Sequence, residues 1–163
     1  NVLNKRQQAS LASAYAFLDS SYREYKKKVE ELYGEEGVAH IREEIAKDNY
    51  EPMKNPDDNK ELFYDEFSKT YFEATKEEVL QAEYDINRMI ATESGAALYE
   101  FYECLNLPYE PYAKELGWSQ GILSDMYWTY WLDFDHSQMI TEDGRECQII
   151  TMRQEPVIDF AYY

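Results

Sequence analysis

The sequence predicts an α+β protein, with a long amphipathic helix and a helical region first and a small antiparallel sheet at the C-terminal end. Two observations carry this. Apolar residues recur at helical spacing through 11–32 and 76–91. After Gly121 the texture turns to alternation, with the turn pair Asp143-Gly144 between two apolar runs. The expected organisation is a single domain over 1–163. It comprises a helical arm or hairpin (1–47), a flexible loop (48–59), a helical core (60–117) and antiparallel strands (122–163).

The first helix is the clearest. Leu11, Tyr15, Leu18, Tyr22, Tyr25, Val29 and Leu32 follow alternating steps of four and three, so they share one helical stripe. Arg23, Glu24, Lys26, Lys27, Lys28, Glu30 and Glu31 fill the solvated side, and Gly34 fits a stop. Two coverings of the stripe are open: the rest of its own domain, or a second copy through the 11–32 helix. Its tyrosines favour the first, since a phenol needs a polar partner or water at the edge of a seam.

A short helix should follow, with Val38, Ile41 and Ile45 inward and Glu35 and Glu36 at the positive end of its dipole. Asn55, Pro56, Asp57, Asp58 and Asn59 make a turn-rich loop. The aromatic cluster 62–72 fits either a helical stripe (Phe63, Phe67, Tyr71) or a strand. Residues 76–91 read as a helix with a wide apolar arc, interrupted at Ser94 and Gly95. Ala97, Leu98, Phe101, Tyr102 and Leu105 mark the next helix, ended by Pro108, and Tyr112 to Leu116 give one or two more turns before Gly117.

Trp128, Tyr130, Leu132 and Phe134 alternate as in a half-buried strand. Asp143-Gly144 suggests a two-residue hairpin turn with positive φ at both centres. The return strand is 146–154, and Val157, Ile158 and Phe160 form a last short strand after Pro156.

Composition narrows the function. Asp and Glu number 33 against 16 Lys and Arg, a formal charge of −17. That field repels phosphate backbones, so direct nucleic-acid binding is not expected. The 16 Tyr, 7 Phe and 3 Trp supply ample mass for a core. Cys104 falls in an apolar helical pattern and Cys147 opens a strand, which favours two free thiols over a bridge.

Asp133, Asp135 and His136 are the one cluster with catalytic or metal-binding residue types close in sequence. On a strand the two carboxylates share a face and could hold a hard cation or act as an acid/base pair, while His136 points away. The competing reading is the solvated side of an edge strand. Gly-rich phosphate loops, the G-x-S-x-G elbow and H-E-x-x-H are absent from the sequence. No cofactor is implied, and an enzyme is not expected.

Several stretches, taken in order, resemble a family. They are Asn1-Val2-Leu3 with Lys5-Arg6, the tyrosine-rich helix ending Glu31-Leu32-Tyr33-Gly34-Glu35-Glu36, and Tyr64-Asp65-Glu66-Phe67-Ser68. Ala82-Glu83-Tyr84-Asp85 and Leu98-Tyr99-Glu100-Phe101-Tyr102 through Leu107-Pro108 continue the series, as do Leu116-Gly117-Trp118 and Trp131-Leu132-Asp133-Phe134. Together they resemble a domain of unknown function from phages and prophages of gut Firmicutes. The resemblance supplies no catalytic residues. It implies a bacterial host cytoplasm, and a membrane tether upstream of Asn1, with Lys5 and Arg6 as its juxtamembrane positives.

The expected function is therefore a non-enzymatic, phage-associated accessory domain binding a host or phage protein. Trp128, Tyr130 and Trp131 are the candidate contacts. The alternatives are an acidic anti-defence inhibitor that mimics nucleic acid, a metal-dependent enzyme built on Asp133, Asp135 and His136, and a structural assembly component.

Overall fold

The computed structural model describes the backbone of residues 2–162, with side chains for 18 and for 20–162. Leu11, Tyr15, Lys5 and Arg6 therefore have side chains outside the described set. The chain divides into two compact units, 1–41 and 42–163. A helix at the N-terminus is followed by antiparallel strands toward the C-terminus, so the fold is α+β.

The first unit is helical. Helix α1 (Val2–Asp48) starts in it and breaks at Gly34, where φ is 72° and ψ 179°. That backbone conformation is essentially reserved for glycine. The expected stop is thus a kink, after which the helix resumes. Along the stripe Leu18, Tyr22, Tyr25 and Leu32 are 61, 49, 71 and 72% exposed. Ile41, expected inward, is exposed as well.

The second unit begins with the end of α1. Ile45 is exposed here too, and Ala46 is the residue that becomes fully buried. The segment 49–60 is coil, tied down where Asp57 N–H donates to Glu73 at 3.0 Å.

The periodicity reads 60–117 as a helical core, but the structure opens this stretch with a β-hairpin. Strand β1 (Glu61–Asp65) pairs with β2 (Thr70–Ala74) across a turn in which Lys69 takes φ 58°. The strand signal is weak because β1 is buried on both faces, so Leu62, Phe63, Tyr64 and Asp65 show no alternation. Helix α2 (Lys76–Glu93) follows, opened by a capping box between Thr75 and Glu78. Val79, Ala82, Ile86 and Ile90 form its buried stripe, while Leu80 and Tyr84 face solvent.

Next come β3 (Gly95–Ala97), α3 (Leu98–Cys104), a 3-10 turn at Pro111–Lys114 and β4 (Leu116–Ser119). Gly117 lets β3 and β4 approach, since a Cβ there would overlap the Ala96 carbonyl oxygen and the Phe160 ring.

The expected strand from Met126 to Phe134 is overturned. Helix α4 (Gln120–Tyr127) occupies its start, and Trp128 caps that helix in a left-handed conformation. Strand β5 begins only at Phe134 and runs to Ile140. Of the four alternating residues, Leu132 is buried and Phe134 stacks on Phe101 with ring centroids 5.0 Å apart, whereas Trp128 and Tyr130 are exposed.

Strand β6 (Glu146–Met152) returns after a five-residue connection, 141–145. Thr141 N–H donates to Arg145 O, and Gly144 N–H donates to Thr141 O, both at 2.9 Å. Gly144 alone has positive φ, so the turn carries one left-handed residue rather than two. Strand β7 (Val157–Ile158) ends the strand set.

Among the described residues the strands form two sheets. One has the order β2-β1-β6-β5 and the other β3-β4-β7. The two hairpins of the larger sheet are joined by a parallel β1–β6 pairing, with Tyr64 opposite Ile149. One face carries Phe63, Phe72, Ile150 and Met152 against α2, α3 and Trp118. The other carries Leu62, Tyr64, Cys147 and Ile149 against Ala46, Tyr50 and Met53.

Candidate functional site

Asp65 ends β1 inside the core and is 1% exposed. Its Oδ2 accepts three hydrogen bonds: from the Ser68 hydroxyl at 2.7 Å, the Ser68 amide at 3.1 Å and the Tyr102 hydroxyl at 2.7 Å. Oδ1 has no hydrogen bond of good geometry. Burial dominates and pushes the carboxyl pKa up, against the pull of Ser68 and Tyr102. Burial, then the Asp65 charge, pushes the Tyr102 phenol up.

Ser68 and Tyr102 lead from Asp65 to the wall of a pocket of about 220 Å³, lined also by Thr70, Tyr109, Glu110 and Tyr112. The local sequence builds this wall. Asn106 takes φ 57° and reverses the chain after α3. Leu107 N–H then donates back to Tyr102 O at 2.9 Å. Pro108 follows, and Pro111 opens the 3-10 turn that carries Tyr112. Burial is the main influence raising the Tyr112 phenol, and the charges of Asp65 and Glu110 add to it. The pocket therefore offers phenol rings, hydroxyls and a negative field. Tyr102 and Tyr112 both shift away from phenolate formation at neutral pH.

The structure separates Asp133, Asp135 and His136. Asp133 lies before β5, where its N–H and carboxylate meet the Gln154 amide at 2.7 and 3.3 Å. Asp135 pairs with Arg153 at 2.8 Å. His136 Nε2 meets Glu83 of α2 at 2.7 Å. Each group is turned to a different partner. Among the described residues no three His, Cys, Asp or Glu side chains are grouped to hold a metal ion.

Cys104 and Cys147 are free. Burial pushes the Cys147 thiol up to about 12, so it is protonated and inert at neutral pH.

The candidate contact residues stand in the open. Trp128, Tyr130 and Trp131 are 92, 75 and 60% exposed. The αL backbone of Trp128 is costly for a bulky side chain. Asn87 of α2 fixes the end of this segment through both backbone groups of Leu132.

Residues 1–161 match DUF6353, a family of unknown function. The chain belongs to this family. No curated protein and no solved structure gives a match. DUF6353 thus supplies a sequence pattern without assigned chemistry, and the site must be read from its own geometry. Among the described residues no helix of this DUF6353 chain is long and apolar enough to cross a membrane.

Sequence reasoning passed over Asp65. A signal was present: a lone carboxylate closing the run Leu62-Phe63-Tyr64, with a serine three residues on at Ser68. An Asp so placed must find local donors or disturb the core.

Proposed function

We propose that this chain is a non-enzymatic accessory domain of phage or prophage origin that binds a host or phage protein in the bacterial cytoplasm. The contact surface is the segment 126–131. The observation that carries the reading is Trp128, 92% exposed on a left-handed backbone. Exposed aromatic clusters mark interaction surfaces, and Trp and Tyr are the usual anchors of interfaces. The net charge of −17 supports a protein partner over a nucleic acid.

A photo-crosslinking residue at Tyr130 tests this in host extract, followed by titration of the purified captured protein. Trp131→Ala should weaken that binding about 30-fold, the effect of losing an interface anchor. Undiminished affinity, or no captured protein, overturns the reading.

A second reading, self-association through the 11–32 helix, is favoured by the exposure of Leu18, Tyr25 and Leu32. Sedimentation as a monomer at high concentration would remove it.

A further inference from the structure

We propose that the pocket between the β1–β2 turn and the 108–112 segment binds a quaternary ammonium head group, carried by a free amine or by a methylated lysine. This site is separate from the 126–131 segment and does not rest on the protein-binding reading.

Tyr102, Tyr109 and Tyr112 line one pocket, Tyr102 from within the core at 2% exposure and the other two nearer its mouth. Aromatic faces attract cations through the ring quadrupole, the more so when water is excluded. A carboxylate, Glu110, stands among them. Behind the wall lies Asp65, reached through the Tyr102 hydroxyl at 2.7 Å. The Ser68 and Thr70 hydroxyls add acceptors for a hydroxyl of the ligand. None of these lining side chains is cationic, and the one charged group, Glu110, disfavours an anion.

The electrostatics agree with the geometry. Burial first, and then the nearby carboxyl groups, keep the Tyr112 phenol protonated, and the Glu110 carboxylate among them favours a bound cation. One ring beside the pocket already has an ammonium of this chain near it. Lys114 Nζ lies 6.0 Å from the centroid of Tyr99, whose ring is 5.4 Å from that of Tyr109. At about 220 Å³ the pocket is smaller than sites for drug-sized molecules, which suits a head group.

The test uses the full chain at constant ionic strength, titrated calorimetrically with tetramethylammonium, choline and the uncharged isostere 3,3-dimethylbutanol. The expected result is saturable binding of both cations and none of the isostere. Tyr109→Leu, at a half-buried position, and Glu110→Gln, at an exposed one, should each weaken choline about 2- to 30-fold. Trp128→Gly should leave choline affinity unchanged. A trimethyllysine peptide arm distinguishes sources: binding of both supports a methylated chain as ligand, and binding of choline alone supports a free amine. Equal binding of choline and the isostere, no binding of either cation, or full affinity in both pocket variants overturns the proposal.

Discussion

Asn87 and Leu132 hold each other through a two-way hydrogen bond across 45 residues of sequence. Asn87 Nδ2 donates to Leu132 O at 3.1 Å, and Leu132 N–H donates to Asn87 Oδ1 at 2.7 Å. A residue between strands gets its backbone partners from a helix side chain in place of a ladder. Asn87→Ala would leave both groups of a buried residue without that partner. The expected cost is about 1–3 kcal/mol in denaturant unfolding. Amide exchange at 129–133 should accelerate more than in α2 itself.

Trp128 takes φ 57° and ψ 35° at the end of α4 while its side chain stands in water. Glycine takes this conformation without the steric penalty. Trp128→Gly should therefore hold or raise thermal stability, by up to about 1 kcal/mol, while lowering affinity for the proposed protein partner. A lowered melting temperature would show that Trp128 is retained for packing.

His136 meets Glu83 at 2.7 Å. The hydrogen bond to Glu83 is the main influence and raises the imidazole pKa, against the burial that lowers it. The folded state thus holds the proton more tightly than the unfolded chain. The pair's stabilisation is fully present below the unfolded pKa of about 6.5 and is lost as pH rises through the raised folded value. Melting curves of wild type and Glu83→Gln should differ most near pH ~6 and converge as the pH rises above the raised folded value. A constant gap across that range would contradict the pairing.

Asp65 has the same sign of linkage by a different cause. Burial raises its carboxyl above the usual range, so the folded state favours the protonated acid. Its contribution is fully present below the unfolded pKa of about 3.8 and declines as pH rises through the folded value. Wild type should gain stability relative to Asp65→Asn as the pH is lowered. Asp65→Ala strips the acceptor from Ser68 and Tyr102, and should cost about 1–3 kcal/mol at neutral pH.

Some elements were legible because their signals are local. The Gly34 break, helix α2 and the Asp143-Gly144 reversal each depend on a few neighbouring residues. The hairpin β1–β2 was ambiguous because a strand buried on both faces has no alternation to display. Segment 126–134 misled for the opposite reason. Its alternation is real in the sequence, but two of the four residues are exposed rather than part of a buried face. The same residues therefore served the functional expectation and defeated the structural one.

Alone, the sequence determined the class of fold, the acidic field and the residue types available for contact, since period, charge and composition are properties of the chain. Tertiary structure decided which groups meet. It sent Asp133, Asp135 and His136 to three separate partners, and it brought Asp65 under Tyr102 across 37 residues. The parallel β1–β6 pairing belongs to that second kind. Such contacts depend on which surfaces remain to be covered once each local element has formed, and that balance involves the whole core at once.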